Sequence, residues 1–342
     1  MTKVLLTGGS GFIAAHILEQ LIAKGHSVIT TVRSEDKAAP IRAAYPDQTS
    51  SGDLRIEIVP DIAQPDAFDE VVKIPGIEVV LHTASPFHFK FKDPQKELID
   101  PAVIGTTSIL KAITLHAPTV RRVVITSSFA AIIDESKLTD PSTVFSETSW
   151  NPVTQADIHS SPATAYRASK KLAERAAWDF ISSEKPNFDL VTINPPMVFG
   201  PVAHHLSNGL QGINTSNERL VSLIQGGWRD GVPSTGQAFL WVDVRDVATA
   251  HVRAGLELPG AGGKRLFTTA GEFSNAWMVD IVRRNFPELK EKLPGPEVKG
   301  GELPDKRPRF DNKKTVEVLG IEWIPFETSV VDTVRSLLAH GA

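Results

Sequence analysis

The sequence predicts an α/β fold: a doubly wound parallel sheet with a smaller C-terminal lobe. Three features predict it. A glycine-rich turn stands at the very start of the chain, short β-branched runs alternate with helical patterns over the first two-thirds, and the pattern loosens after residue 196.

The elements follow in order. Residues 3–6 are an apolar strand that runs into Thr7-Gly8-Gly9-Ser10-Gly11. A helix follows with Phe12, Ile13, Ile17, Leu18 and Leu21 on one face, closed by Gly25. Further strands are predicted at residues 27–32, 54–59, 79–83, 123–127 and 190–193. Continuous apolar strands with helices between them imply a parallel sheet covered on both faces, and right-handed crossovers make it doubly wound. Residues 196–236 are rich in Gly, Ser and Asn and are expected to be mostly loop. Strands at 239–242 and 266–269 flank a helix at 244–256. A helix from Ser274, a Pro/Gly-rich stretch at 294–308 and a terminal helix at 326–338 complete the chain. The expected organisation is a nucleotide domain of residues 1–196, with 237–270 returning to it. Residues 197–236 and 271–342 then form the substrate lobe.

Composition narrows the function classes. The chain has 342 residues, 41% hydrophobic and 22% charged, which is ordinary for a globular protein. A net charge of -4, with cations in pairs such as Arg121-Arg122 rather than stripes, argues against a nucleic-acid partner. The absence of cysteine excludes disulfides, thiolate metal sites and cysteine nucleophiles. The apolar run after Met1-Thr2-Lys3 is too short for a signal peptide. No run approaches the roughly 20 apolar residues of a membrane span. A cytoplasmic protein with no membrane partner is expected, as a monomer or homodimer.

Gly8, Gly11 and Ala14 form G-x-x-G-x-x-A between the first strand and first helix. The motif turns the chain tightly and lets backbone approach a pyrophosphate, with the N–H groups around Ser10, Phe12 and Ile13 facing the anion. The strand–turn–helix context is the one the dinucleotide-binding (Rossmann) motif requires. An acidic residue at the end of the second strand would favour NAD. Arg33 stands there instead, with Lys37 one helical turn on, which favours the 2′-phosphate of NADP(H), although Glu35 and Asp36 lie close by. Strand ends place Asp61 and Ile62 near the adenine and Thr83, Ala84 and Ser85 near the nicotinamide ribose. Pro195, Val198 and Ser216 are also assigned to the cofactor.

Tyr166 and Lys170 form Y-x-x-x-K within a helical pattern that runs to about residue 180. Spacing of four puts both on one helix face. A cation held close is expected to lower the phenol's pKa from about 10 and ready it for proton exchange with a carbonyl oxygen. Thr126-Ser127-Ser128 ends the fifth strand, where ligands bind in open α/β sheets. Ser128 is the chosen partner on the substrate oxygen, with Ser127 the fallback and a strand-end hydrogen-bonding role otherwise.

Thr7-Gly8-x-x-Gly11-Phe12-Ile13-Ala14, Thr126-Ser127-Ser128, Tyr166-x-x-x-Lys170 and Asn194-Pro195 together resemble an extended short-chain dehydrogenase/reductase. Longer stretches, among them 58–62, 80–87, 147–152, 169–174 and 242–248, resemble the fungal NADPH-dependent methylglyoxal and aldehyde reductases, relatives of dihydroflavonol reductases. The resemblance covers nearly the whole chain. It implies NADPH held by Arg33 and Lys37, and a Ser128–Tyr166–Lys170 triad that reduces aldehydes, ketones or ketoesters. One position departs from it: Ile104 stands where related chains often carry Asn.

Phe87, Phe129, Met197 and Val198 follow strand ends and are expected to make an apolar substrate wall, with Ile213 and Trp241 as further candidates. His204-His205 lacks a third ligand at recognisable spacing, so a polar loop is expected and no metal site. His82 is expected to be a buried, satisfied histidine. Asp243, Arg245 and Asp246 are expected to form an ion-pair knot at a helix start. Two alternatives to an NADPH carbonyl reductase remain: another activity on the same fold, such as a hydroxysteroid dehydrogenase or sugar-nucleotide epimerase, or a non-catalytic NADP-binding redox sensor. The first needs a large pocket. The second does not need Ser128, Tyr166 and Lys170 in register.

Overall fold

β-Branched runs stack into parallel strands only when connecting helices can cover both faces, and the chain supplies those helices between almost every pair of strands. The computed structural model describes residues 1–85, 91–203, 205 and 213–342. In chain order the elements begin with β1 (Lys3–Thr7), α1 (Phe12–Ala23), β2 (Ser27–Val32), α2 (Glu35–Ala44), α3 (Pro46–Ser51) and β3 (Leu54–Ile58). Then come α4 (Asp69–Val72), β4 (Ile77–His82), α5 (Asp100–His116), β5 (Arg122–Thr126), β6 (Val144–Ser146), α6 (Pro162–Glu184) and β7 (Asp189–Ile193). The remainder is β8 (Met197–Phe199), α7 (Glu218–Ile224), β9 (Leu240–Asp243), α8 (Val244–Val252), β10 (Lys264–Leu266) and β11 (Gly271–Glu272). The last four are α9 (Asn275–Asn285), β12 (Arg309–Asp311), α10 (Lys313–Leu319) and α11 (Phe326–Ala339).

Seven strands form one parallel sheet in the order β10-β7-β5-β4-β1-β2-β3. The chain reverses its direction of travel across the sheet between β1 and β4, so a crevice opens there at the carboxyl ends of the strands. One face is covered by α1 and α8, through Ile17, Leu18, Leu21, Val247 and Ala250. The other is covered by α5 and α6, through Ile109, Ile113 and Ala177. Among the described residues, the helical stretch 95–116 is long and apolar enough to cross a membrane, contrary to the expectation that no run approaches a span. More than half of it is buried in the protein, against α6 and the sheet, which makes it a core helix.

The region after β7 departs from the expectation in informative ways. The strand anticipated at 239–242 does not join the large sheet. It is β9, at the centre of a three-stranded sheet between β8 and β11. The strand anticipated at 266–269 leaves the large sheet at Leu266, because the Asn312 side chain takes the carbonyls of Phe267 and Thr269, at 3.3 and 2.7 Å. The α-helical part of 244–256 stops at Val252 and continues as a wider turn, Arg253–Glu257. Gly255 lies so close to β4 that a Cβ there would meet Leu81 at 2.9 Å. A separate core of Phe199, Trp241, Phe273, Met278 and Val334 holds the C-terminal lobe together.

Buried polar groups tie these layers. Asp243 caps α8 by accepting from the Arg245 N–H at 2.8 Å and forks with the Arg245 guanidinium. Arg245 reaches on to Asp332 of α11, and Asp246 accepts from the Ile324 N–H at 2.9 Å. His251 of α8 uses Nδ1 to donate to the Val247 carbonyl, so its Nε2 accepts from the Thr126 hydroxyl at 2.7 Å at the end of β5. His82 at the end of β4 pairs through Nδ1 with Thr7 of β1 at 2.9 Å, while its Nε2 finds no partner among the described residues.

Burial pulls the His82 ring down to about 3, with Lys170 adding to the effect, and pulls His251 down to about 4. Both rings therefore stay neutral in the folded protein at pH values where the unfolded chain protonates them. The sign is that of a depressed folded pKa: stability is whole above about pH 6.5 and is lost as pH falls toward about 4, by up to about 1.4 kcal/mol per ring per pH unit. Melting temperatures measured across that window should fall steadily. A flat profile from about pH 7 to about 4.5 would remove these histidines as acid-sensitive groups.

Candidate active site

The glycine turn is shaped by lack of room. Gly8 adopts φ +75, and a Cβ on it would lie 3.0 Å from the Ala84 backbone. A Cβ on Gly9 would overlap the Thr30 hydroxyl. Only glycine lets the turn sink this deep between β1, β2 and β4. The first intrahelical bond of α1 runs from Ala15 to Gly11, and no side chain caps the helix. The N–H groups of Phe12, Ile13 and Ala14 are thus left open, and these residues line a cleft of about 580 Å³. An uncapped helix start in a cradle without side chains fits the pyrophosphate of a dinucleotide.

The cleft brings together many of the residues expected for the cofactor. Ser10, Gly11, Phe12, Ile13, Lys37, Thr83, Ser85, Tyr166, Lys170, Pro195, Val198 and Ser216 all lie on its wall. Gly8 and Ala84 do not; they pack against each other beneath the turn. Arg33 stands exposed one residue past β2, beside the wall rather than on it. Glu35, which seemed to compete for these cations, is forked by Arg42 at 2.7 and 2.8 Å. Asp36 faces the cleft with Lys37. Asp61 is exposed and accepts from Ala63 and Gln64, which holds its carboxyl below the usual range. Ile62 packs on Gly105 of α5, and neither Asp61 nor Ile62 lines the cleft. Ile104 is half-buried on α5.

Helix α6 carries both Tyr166 and Lys170. Ser161 caps it through the Thr164 N–H, Pro162 opens its first turn, and Tyr166 and Lys170 share a face. Ser128 follows β5 in extended conformation and caps a short turn by accepting from the Ala130 N–H at 3.1 Å. It also hydrogen-bonds Tyr166. Ser127 points elsewhere, into the buried carboxylate of Glu174. Lys170 donates from Nζ to the Ser85 hydroxyl at 3.0 Å and lies 5.9 Å from the Tyr166 ring centre.

The electrostatics correct one expectation. The phenol is not acidified. Burial pushes Tyr166 above its ordinary value, and the Ser128 hydrogen bond works against that without overcoming it. Burial also pulls Lys170 down to about 8. Both side chains open onto the cleft, yet the protein packed around them disfavours charge on either. Tyr166 is accordingly held as a neutral O–H donor at pH 7.

A second chamber of about 270 Å³ adjoins the cleft, and Ser128 and Tyr166 line both. Its wall is largely apolar, with Phe129, Ile133, Met197 and Leu240. Phe129 is locked by stacking on Phe267, centres 5.1 Å apart. Met197 and Phe129, expected in an apolar wall, both line this chamber. Ile213 lines the cleft instead. Trp241 lines neither; it is buried in the lobe core, 4.7 Å from the Phe326 ring, because β9 belongs to the small sheet. Phe87 and His204 lie outside the described residues. His205 lines the cleft with its ring edge-on to Tyr45 at 5.6 Å. Arg167, Gln237 and Thr215 of the chamber went unnoticed in the sequence, which has no local pattern to mark them.

Comparison with known proteins identifies the family. The ketoreductase azaE of Aspergillus niger is 46% identical over 342 residues, covering 99% of this chain and 98% of that protein. The putative NADPH-dependent methylglyoxal reductase GRP2 of Candida albicans is 42% identical, covering 98% of each. Among solved structures, Gre2 of Candida albicans in complex with NADPH superposes with a TM-score of 0.92 at 40% identity, covering 100% of both chains. The profile of the NAD dependent epimerase/dehydratase family matches residues 4–264. This chain therefore belongs to that family, among the extended short-chain dehydrogenase/reductases.

Proposed function

We propose that this protein reduces the carbonyl group of small aldehydes, ketones, methylglyoxal-like ketoaldehydes or ketoesters to alcohols with NADPH, acting in the cytoplasm. One observation carries the reading. Ser128 and Tyr166, hydrogen-bonded to each other, stand where a cleft of cofactor size meets a small apolar chamber. The chamber's volume favours a small carbonyl compound over a sugar nucleotide or steroid. The relatives named as a ketoreductase and as NADPH-dependent methylglyoxal reductases support the same reading.

NADPH, when bound, supplies the hydride. The N–H groups of Phe12, Ile13 and Ala14 receive the pyrophosphate. Lys37, with Arg33 beside it, receives the 2′-phosphate, and Arg42 keeps Glu35 from competing. Asp61 and Ile62, which do not line the cleft, would border the adenine only from beyond its wall. Thr83 and Ser85, with Pro195, Val198 and Ser216 on the same cleft wall, would hold the nicotinamide ribose, while Ala84 would act only from beneath the glycine turn. Ser128 and Tyr166 hold the substrate oxygen between two O–H donors. Tyr166 passes its proton to that oxygen, and the environment that keeps the phenol protonated suits it to this direction. Lys170 would hold the ribose hydroxyls of bound NADPH and, as a cation, would support the phenolate left behind. Phe129, Ile133 and Met197 exclude water from the substrate side.

Three outcomes test this. Tyr166→Phe should retain NADPH binding and lose about 100-fold or more of turnover in an NADPH-oxidation assay with methylglyoxal or a ketoester. Near-wild-type turnover in that variant refutes the proton-donor assignment. Arg33→Glu should weaken NADPH by about tenfold or more while leaving NADH nearly unchanged; equal losses for both would remove the 2′-phosphate argument. Because burial depresses Lys170 to about 8, its charged form is present below that value and is lost above it. The kcat/KM for carbonyl reduction should therefore decline above about pH 8, and a profile level to about pH 9.5 would take Lys170 out of the mechanism.

A further inference from the structure

Glu174 is a buried carboxylate that the chemistry above does not use. It lies on α6 at positions i, i+4 and i+8 with Tyr166 and Lys170, on one helix face. It is 2% exposed and its two oxygens meet five donors from four parts of the fold. Oε2 accepts from the Ser127 hydroxyl at the end of β5 and from the Asn194 amide after β7, the latter at 2.7 Å. Oε1 accepts from Arg265 Nε of β10 at 2.6 Å, the Thr192 hydroxyl of β7 at 3.1 Å and the Trp178 indole at 3.3 Å. The contacts reach the reacting groups directly. Ser127 immediately precedes Ser128, and the Asn194 amide also donates to the Ser128 carbonyl at 3.2 Å.

The charge has a matching anchor. Arg265 uses NH1 on the carbonyls of Glu147 and Ser149, at 2.7 Å each, and stacks on Trp150 at 3.7 Å. Arg175 stacks on the same ring at 3.9 Å. A charged acceptor held this way has one low-energy place, and hydrogen bonds to it are directional. A loosely packed apolar residue at 174 could fill the volume. It could not align a helix with three strand ends along the helix axis.

We propose that Glu174 is a positioning residue: it sets the register of α6 against β5, β7 and β10, and thereby the contact between Ser128 and Tyr166. The effect on turnover rests on the carbonyl-reductase reading; the effect on the contact does not. Glu174→Gln keeps the size but loses the charge and turns one acceptor into a donor, which then faces either Ser127 and Asn194 or Arg265, Thr192 and Trp178.

The test reads both quantities. The chain has two tyrosines, so in a Tyr45→Phe background labelled at the ring ζ-carbon, NMR shows Tyr166 alone. In Glu174→Gln that resonance should move toward its position in Ser128→Ala, with kcat down about tenfold or more and the Kd for NADPH changed less than about threefold. Ser127→Ala, which leaves the Glu174–Arg265 pair whole, should move the resonance the same way by a smaller amount, and it decides the matter if Glu174→Gln fails to fold. A resonance that stays at the wild-type position in the folded variants overturns the proposal. An unchanged kcat, or a loss in NADPH affinity as large as the loss in kcat, overturns it as well. A wild-type protein without carbonyl reduction would sink the functional reading alone, since the resonance shift would still report on Glu174.

Discussion

Parallel pairing is the constraint on which everything else rests. Because β4, β5 and β7 run in the same direction, with Leu81 beside Val124 and Val124 beside Val191, their carboxyl ends finish at one edge of the sheet. Residues that follow those ends, Thr83 to Ser85, Ser127 to Ser128 and Asn194 to Pro195, are delivered side by side without any local contact between them in sequence. Helix α6 then needs only to run back beside β5 and β7 for Tyr166 and Lys170 to face that edge. No single hydrogen bond has to create the site; the direction of the strands does it.

The site also shows how burial sorts titratable groups into roles. Tyr166 and Lys170 are drawn toward their neutral forms by the same packed surroundings. For the phenol this keeps a proton available for donation. For the amine it opposes a charge that a dinucleotide's phosphates favour on binding, by the ordinary rule that a nearby anion stabilises a cation. Glu174 follows the opposite course. It is more fully buried than either, and it is surrounded by donors and paired with Arg265. Three ionisable groups on one helix face thus sit in different states because their partners differ.

The C-terminal lobe solves a separate problem. A parallel sheet edge offers a crevice but no roof over a small substrate. The three-stranded sheet of β8, β9 and β11 brings Met197 and Leu240 over Ser128, and the stacked Phe129–Phe267 pair closes the side. The Asp243–Arg245–Asp332 knot and the Asp246 contact with Ile324 fasten α8, which belongs to the nucleotide layer, to the segments of the lobe. The glycine-turn cleft and the apolar chamber therefore meet at a joint that ion pairs and aromatic packing hold in place.

Whatever depends on short-range pattern was legible in the sequence. Alternating apolar runs determined the large sheet and its covering helices. The spacing of Gly8, Gly11 and Ala14 determined the cradle, and that of Tyr166 and Lys170 put both on one helix face. Ser128 was separable from Ser127 only by its position past the strand; in the structure the Ser127 hydroxyl meets Glu174, while Ser128 lines both cleft and chamber. Whatever depends on which segments meet was decided by tertiary structure. Trp241 lies in a core because β9 joins the small sheet. Leu266 ends its strand because Asn312, 46 positions away, captures the carbonyls that follow. The phenol stays protonated because burial by segments distant in the chain, a property no window of sequence carries, outweighs the Ser128 hydrogen bond.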